Sequence, residues 1–279
     1  MKLRFCLTTI GSFFLAVASI TLAGPEALPS GKEMKEVAPA PAPACDYTWT
    51  GFYIGLNVGY GWGDADTRFE PLPDAPTFFL LDPQRHNADP DGVIGGGQIG
   101  FNYQWKWLVL GAEADFQGSD MEGTKTVSPI IPFLTGSPAS DSFLSTRERT
   151  DWFGTFRGRV GFAPWCRVLV YATGGLAYGN GHYSADTIWD FPPPSPQPDV
   201  LTHRASFDRT NVGWTVGGGL EYALTHHWSV KVEYLYYDFG DHGATGLELF
   251  NGAPSPPFAV HYNWETTANI VRGGVNFKF

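Results

Sequence analysis

Charged residues recur two positions apart in this sequence. Glu113 and Asp115 are separated by one residue, and so are Arg157 and Arg159. In an extended strand, residues two apart point to the same face, so each pair projects from one side of its strand. Two carboxylates on one face are a candidate acid–base pair. Two arginines on the following strand favour a simpler interpretation, an ion-pair network whose predicted members are Glu113, Asp115, Arg157, Arg159, Glu221, Lys231, Glu233 and Arg272.

Histidine offers a second chemistry. Imidazole binds haem iron and metal ions, and several histidines fall in segments predicted to be outer loops. A haem or metal role is therefore an alternative for loop histidines, whereas solvated polar residues are the simpler interpretation. No H-x-x-x-H ligand spacing occurs, and we predict neither a metal site nor a bound cofactor. The four candidate ligands are His182, His203, His242 and His261.

A glycine-rich stretch matches a dinucleotide-binding motif by its letters. Residues Gly95 to Gly100 fit G-x-G-x-x-G, but that motif binds a pyrophosphate where a strand turns into a helix. Here the glycines lie within an alternating strand that runs to Trp105, so we interpret them as residues that line a narrow interior. No Ser/His/Asp constellation can be assembled, and we predict that the protein is not an enzyme.

The elements that position these residues are strands, because apolar and polar side chains alternate over long stretches. Phe52, Ile54 and Leu56 share one face of the first stretch, opposite Tyr53 and Asn57. Eight stretches show this period of two, which predicts eight half-apolar strands. Their approximate bounds are 51–62, 93–105, 107–118, 150–162, 168–179, 211–222, 228–236 and 265–279.

The predicted connections alternate in length. Those after the second, fourth and sixth strands are short, whereas those after the first, third, fifth and seventh each run to roughly 25 to 30 residues. Short turns on one side and long loops on the other are typical of an eight-stranded antiparallel up-and-down transmembrane β-barrel. A soluble barrel of the lipocalin type is the alternative. The barrel interpretation also predicts a lumen just wide enough for its own side chains, plugged by the ion pairs.

The amino terminus predicts export. Lys2 and Arg4 precede an apolar run, and small residues follow up to Ala23, as in a cleaved signal peptide covering 1–23. An Ala/Pro-rich linker covers 24–48 and the barrel 49–279. Loss of the leader would change the formal charge from −10 to −12, which argues against nucleic acid as a partner.

Two cysteines remain after the predicted cleavage. Cys45 directly precedes the first strand, and Cys166 lies in the turn between the fourth and fifth. Both belong to the side with short connections, which faces the oxidising periplasm of an exported barrel. A disulfide between Cys45 and Cys166 is therefore predicted across the periplasmic rim.

Two segments carry a family resemblance. They are Trp49-Thr50-Gly51-Phe52-Tyr53-Ile54-Gly55-Leu56-Asn57-Val58-Gly59-Tyr60-Gly61-Trp62-Gly63 and the closing Val271-Arg272-Gly273-Gly274-Val275-Asn276-Phe277-Lys278-Phe279. With them the chain resembles the small porin-like outer-membrane antigens of alphaproteobacteria, which are related to the opacity proteins. The resemblance implies a structural or surface-antigen role, and for some members weak pore formation or haemin binding. It transfers no catalytic residue.

The expected location is the outer membrane of a Gram-negative bacterium. The expected partners are outer-membrane lipid and lipopolysaccharide, the assembly machinery acting on the last strand, and haemin as an alternative. A small-solute porin and a haemin receptor are the competing functions. The predicted carboxy-terminal assembly signal consists of Val275, Phe277 and Phe279.

Overall fold

The computed structural model describes residues 46–71, 84–128, 143–190, 200–250 and 253–279. The predicted signal peptide and nearly all of the predicted linker lie outside these ranges. Within the described residues, no helix has the length and apolar character needed to cross a membrane.

Nine antiparallel strands make up the described chain. Eight of them close a ring in the order β1-β3-β4-β5-β6-β7-β8-β9, because β9 also pairs with β1. The short β2 pairs with the outer end of β1 and lies outside the ring. The eight-stranded barrel is therefore confirmed, with one additional hairpin strand. The bounds are β1 Gly51–Pro71, β2 Gln84–Ala88, β3 Asp91–Trp105, β4 Leu108–Val127, β5 Phe143–Trp165, β6 Val168–Asp190, β7 Val200–Ala223, β8 Trp228–Phe250 and β9 Ala253–Lys278.

An apolar belt surrounds the lower part of the barrel. The side chains of Phe52, Leu56 and Val58 on β1 remain 63, 73 and 62% exposed. Their neighbours Tyr53 and Asn57 point inward and are buried. An exposed apolar face with no second protein layer is stable only against lipid, so the alternation turns the lumen polar and the wall apolar, as in outer-membrane barrels.

The strands are much longer than their apolar stretches predict. The alternation predicted that the fifth strand ends near Gly179. The strand found there, β6, continues to Asp190. Much of the sequence assigned to long loops is therefore strand. Above the belt, polar residues occupy the outward face and apolar residues the inward face. His182 and Ser184 face outward, whereas Tyr183 and Ala185 are buried inside. A strand predicted from its outward-facing apolar residues ends where the strand leaves the lipid, because beyond that point polar residues face outward into water.

Irregularities mark this transition. The β4–β5 and β5–β6 pairings shift register near Thr150, and β8 shifts against β9 between Asp238 and Asp241. Gly240 lies in this second irregularity with a φ of 72°, a conformation that glycine adopts without strain. A bulge inserts a residue into one strand and shifts its inward positions by one, as in β5 between Glu148 and Phe153 and in β8 between Tyr237 and His242. β6 keeps its inward parity through the transition, from Tyr171 to Ala185, so the inversion of its hydrophobic pattern comes from the types of residue on its two faces.

The belt assignment predicts the effect of a charge on the wall. Val216 of β7 faces outward, 47% exposed, between Gly174 and Tyr236 on the neighbouring strands. Val216→Arg should destabilise the folded barrel by about 2–4 kcal/mol, because an arginine near the bilayer midplane loses its hydration. Urea titration of folding into lipid vesicles measures this change.

Ser206→Arg is the matched control, since Ser206 faces outward from the same strand above the belt. It should change the unfolding free energy by less than about 1 kcal/mol. Equal effects of the two substitutions would contradict the position of the belt.

Candidate functional site in the barrel lumen

Glu113 of β4 lies at the centre of a buried charge network. Arg157 Nη2 approaches its Oε1 to 2.5 Å, and Lys231 Nζ lies 3.0 Å from both carboxylate oxygens. Arg159 Nη1 is 3.5 Å from Oε2. All four side chains are at most 5% exposed. Three cations from β5 and β8, and Arg272 of β9 at 3.5 Å from Oε1, thus surround one carboxylate. The register contributes to this by pairing Glu113 directly with Arg157.

Arg272 of β9 extends the network across the lumen. Its Nη2 lies 2.8 Å from Asp115 Oδ2 and 2.6 Å from Glu233 Oε2. Arg157 bridges the same two acids, at 2.9 Å from Asp115 and 3.1 Å from Glu233. The predicted pairs on β4 and β5 therefore meet charges from the opposite wall, which local sequence spacing cannot reveal.

The eighth member, Glu221, completes the network toward the periplasm. Its Oε2 accepts a hydrogen bond of 2.9 Å from Arg159, and its Oε1 accepts bonds from Ser229 and Asn276 of 2.5 and 2.8 Å. All eight residues that the sequence nominated thus lie in one connected cluster with four acids and four bases. Their formal charges cancel, which offsets the large cost of removing each charge from water.

Two tyrosines complete the network and were not among the nominated residues. Tyr53 donates to Glu113 Oε2 at 2.7 Å, and Tyr171 donates to Glu233 Oε1 at 3.0 Å. Each tyrosine faces a glycine on the neighbouring strand, and that glycine faces the glutamate on the next strand. A Cβ built on either glycine, Gly100 or Gly219, would collide with the tyrosine ring and hydroxyl.

This Tyr–Gly–Glu arrangement occurs twice around the barrel. The missing side chain lets a ring lie across the middle strand and reach an acid two strands away. Arg159 also lies over the ring of Tyr171, 3.8 Å from its centroid, which adds a cation–π contact. The inward parity of Tyr53 and Tyr171 was visible in the sequence, but the register that pairs them with glycines was not.

Apolar layers bound the network on both sides. Along β5 the inward residues run from Arg157 to Phe153, and along β9 from Arg272 to Ile270. Phe153 and Ile270 belong to a buried group above the network, the middle apolar layer, which consists of Ile94, Met121, Phe153, Ala177, Leu235, Tyr237, Ala268 and Ile270. This layer separates the ion pairs from the outer opening.

The periplasmic opening is filled by the segment that leads into β1. Tyr47 and Trp49 fold under the barrel and are 5 and 2% exposed. Trp49 donates its backbone N–H to Gln104 Oε1 at 2.8 Å, and Lys278 Nζ lies 4.1 Å from the Tyr47 ring centroid. These rings join Val109, Leu169, Tyr171 and Ala223 in the lower apolar layer. The filling of the lumen by Tyr47 and Trp49 was not predicted from the sequence.

The candidate histidines His182 and His242 lie on opposite faces of the barrel wall. All four candidates lie in strands, at the outer ends of β6, β7, β8 and β9, and the loop prediction for them was wrong. His182 faces outward and contacts Asp208 and Asp151, the latter at 2.7 Å, and the hydrogen bond with Asp208 raises its pKa. His242 is buried inside the barrel, where burial lowers its pKa. Among the described residues, no group of three or more His, Cys, Asp or Glu side chains is arranged to hold a metal ion. The other two candidate histidines, His203 and His261, belong to β7 and β9.

Cys166 is disulfide-bonded. Cys45 lies outside the described residues, but the positions next to the two cysteines meet: Asp46 Oδ2 is 3.0 Å from Arg167 Nη2. The hydrogen bond and positive charge of Arg167 hold the pKa of Asp46 below its usual range.

The predicted assembly signal forms the outward face at the end of β9. Val275 and Phe279 are 43 and 68% exposed. Phe277 contacts the rings of His227 and Trp228 at centroid distances of 5.7 and 5.1 Å. Phe279 donates its backbone N–H to Phe52 O at 3.0 Å, which closes the seam between the last and first strands.

Comparisons with known proteins agree with this architecture. The sequence model of a family described as "Outer membrane protein beta-barrel domain" matches residues 37–279. The 31 kDa outer-membrane immunogenic protein of Brucella melitensis is 35% identical over 247 residues, which cover 87% of this chain and 88% of that protein. The 22 kDa outer membrane protein of Rhizobium leguminosarum is 26% identical over 236 residues, or 83% and 79% of the two chains.

A search of solved structures finds OprG, an outer membrane protein of Pseudomonas aeruginosa. It is 14% identical and covers 84% of this chain and 98% of its own, with a TM-score of 0.40. A likeness at this level carries no argument about function.

The network predicts a large effect when one cation is removed. Arg157→Ala should destabilise the barrel by about 3–5 kcal/mol, because Glu113, Asp115 and Glu233 would keep their burial and lose a shared partner. Urea titration in lipid vesicles measures the change. Arg149→Ala is the control: Arg149 is exposed on the same strand and pairs with Asp151, so its loss should cost about 0–1 kcal/mol. Comparable losses in both variants would refute the central role of the network.

The cysteine geometry predicts a specific pairing. A digest of the unreduced protein should contain a cross-linked peptide with Cys45 and Cys166, because Asp46 and Arg167 hold the adjoining backbones together. Mass spectrometry identifies this peptide, and Cys45→Ser should release one titratable thiol. A cross-link from Cys166 to any other residue would contradict the pairing.

Proposed function

The chain belongs to the outer-membrane β-barrel family and is an integral protein of the Gram-negative outer membrane, and from this premise we propose that it is a closed structural barrel and surface antigen without catalytic activity. It contributes a rigid wall element to the envelope and displays its outer strand ends and loops. The name of the Brucella melitensis relative, an outer-membrane immunogenic protein, supports surface display.

The filling of the lumen is the observation that carries this proposal. Eight charged side chains occupy the middle of the barrel, and apolar layers lie below and above them. An eight-stranded barrel encloses little more than the volume of its own side chains. A hydrated solute would have to displace both apolar layers and separate several ion pairs, and such a path supports no measurable flux.

The same filling argues against catalysis in the lumen. Glu113 and Glu233, which could act as an acid–base pair, are each held by cations and a tyrosine hydroxyl. A general base needs a free lone pair and access to substrate. These carboxylates have neither, so their role is to stabilise the barrel.

The proposed partners follow from the outer surface. The apolar belt suits the acyl chains of outer-membrane lipid, and charged residues such as Arg147 and Arg149 project above it on β5, at the level of lipopolysaccharide head groups. The exposed face of Val275 and Phe279 at the end of β9 is available to the assembly machinery before β9 pairs with β1. Nucleic acid is not a proposed partner, because the chain is acidic.

Planar-bilayer recording of the purified protein tests the proposal. Wild-type protein should leave the baseline conductance unchanged, since its lumen is filled. The double variant Arg157→Ala with Arg159→Ala removes two of the four cations of the network, so water should enter and conductance should rise or the melting temperature should fall. A detergent gel run with and without boiling verifies that each sample is folded.

A wild-type protein that conducts steadily would identify a small-solute porin and refute the closed barrel. Saturable binding of haemin, lost when His182 or His242 is replaced by Gln, would identify a haemin receptor. Neither outcome is expected, because one histidine faces outward and is held by acids whereas the other is buried inside.

A further inference from the structure

Glu148 is the one acid of the described lumen that lies outside the charge network. It faces inward from β5 and is 1% exposed. Its Oε1 accepts a hydrogen bond of 3.0 Å from Thr266, and its Oε2 has no hydrogen-bond partner among the described residues. The residues on either side of it, Arg147 and Arg149, point outward and carry charge, so this part of β5 lies above the lipid belt.

Two apolar layers enclose Glu148. Below it lies the middle apolar layer, reached along β5 at Phe153 and along β9 at Ala268. Above it lies an outer apolar layer, which consists of Leu144, Tyr183, Ala185, Ala205, Tyr262 and Trp264, with Phe207 and Ala244 packed against it. A charged carboxylate in this position is desolvated from both sides, unlike the acids of the network, which lie among cations.

No cation compensates Glu148 in the described part of the chain. Two basic residues occupy inward register positions nearby, Lys125 on β4 and Arg209 on β7, but both are exposed and neither forms an ion pair with it. Arg147 is paired with Glu122 at 2.8 Å, and Arg149 with Asp151. The titratable or charged groups that face this compartment are Lys125 of β4, Tyr183 of β6, Arg209 of β7, Tyr237 and His242 of β8 and Tyr262 of β9.

A small cavity adjoins the carboxylate. It has a volume of about 20 Å³ and is lined by Glu148, Thr150, Tyr237, Thr266 and Thr267 together with apolar side chains. That volume holds a single water molecule, which needs two or more polar partners. The hydroxyl of Tyr237 lacks a partner among the described residues. The cavity therefore offers room for one water molecule beside the carboxylate, on the side of the middle apolar layer.

Further buried polar atoms in this region also lack partners among the described residues. They include Thr146 Oγ1 on the same strand, and Trp264 Nε1 and His242 Nε2, which belong to directly paired positions of β9 and β8. Water that enters the compartment would gain hydrogen bonds with each of them. The apolar packing that excludes it holds the compartment closed.

We propose that Glu148 is a proton-controlled latch of the outer compartment. With its proton, the carboxyl group is neutral and the outer apolar layer packs over it. When the proton leaves, the carboxylate must be hydrated, and water then passes the outer apolar layer, fills the adjoining cavity and loosens the outer ends of β5 and β9. The latch goes beyond the proposed structural role and does not depend on it, because the middle apolar layer and the ion-pair network lie beneath it.

The direction of the pH dependence follows from burial. Desolvation raises the pKa of Glu148 to about 7, against a smaller opposing effect of the Thr266 hydrogen bond. In an opened compartment the pKa is that of an ordinary glutamate, about 4.3. Between these values the closed state binds the proton and the open state does not, so rising pH favours opening. Above the upper value both states are ionised and the dependence ends.

Amide hydrogen exchange of the barrel in lipid nanodiscs tests the latch. After correction for intrinsic exchange, the protection factors of segments 143–150 and 262–268 should fall as the pH rises from about 5 to 7, by up to about tenfold per pH unit, and stay level above that. The lowered pKa of the buried His242 opposes this slope below about pH 6.5 wherever opening hydrates that histidine. Glu148→Gln removes the titrating group and keeps the shape, so it should abolish this slope.

Three variants serve as controls. Glu122→Gln removes an exposed carboxylate at the same height, and His182→Gln and His242→Gln remove the histidines that titrate nearby. Glu122→Gln and His182→Gln should retain the slope of the wild type. His242→Gln should keep the slope or make it steeper, because a histidine buried in its neutral form takes up a proton on opening and so opposes the effect of Glu148 below about pH 6.5. Retention of the slope in Glu148→Gln, its loss in any of the three controls, or its absence from the wild type would overturn the proposal.

A measurement on the wild type keeps the latch testable if Glu148→Gln does not fold. The infrared carbonyl-stretch band of a protonated carboxylic acid should be present below about pH 6 and disappear around neutral pH. A spectrum without this band at about pH 6 would refute a protonated Glu148 as firmly as the exchange experiment.

Discussion

The structure depends on one constraint: a charge inside a narrow barrel must find its counter-charge on another strand. Glu113 meets Arg157 on β5 and Lys231 on β8, and Glu233 meets Arg272 on β9. These contacts exist in one register only, since a slip by one residue would turn every inward side chain toward lipid. The network therefore specifies the alignment of the strands as well as filling the space between them.

Each long strand passes from lipid, within the belt, to water above it. Within the belt, Val170 and Leu176 of β6 face lipid and the lumen is polar; above it, His182 faces water and Tyr183 is packed inside. A single strand thus follows the rules of a membrane barrel at one end and of a soluble barrel at the other. In β6 the two faces stay the same and only the types of residue on them change. In β5 and β8 the irregular pairings near Thr150 and Gly240 also shift the inward positions by one residue.

How much of this could be predicted depends on how local the signal is. Period-two alternation gave the eight ring strands and all eight members of the network, since parity alone places Glu113 or Arg272 inward. The outer strand ends were missed because their apolar residues, such as Ala185, face inward and break the pattern of the belt. The roles of Tyr53 and Tyr171 were missed because they depend on which glycine lies opposite each ring. Trp49 was missed because it precedes the first alternating segment.

The layers of the lumen divide the barrel into a part that resists change and a part that can respond. In the middle, each acid has several cationic or hydroxyl partners, and the loss of one contact leaves others in place. In the outer compartment, Glu148 lies between two apolar layers, with a single hydrogen bond and no paired cation among the described residues. Local stability follows the density of satisfied buried contacts. The middle apolar layer isolates the two parts from each other, so hydration of the outer compartment leaves the ion pairs beneath it dry.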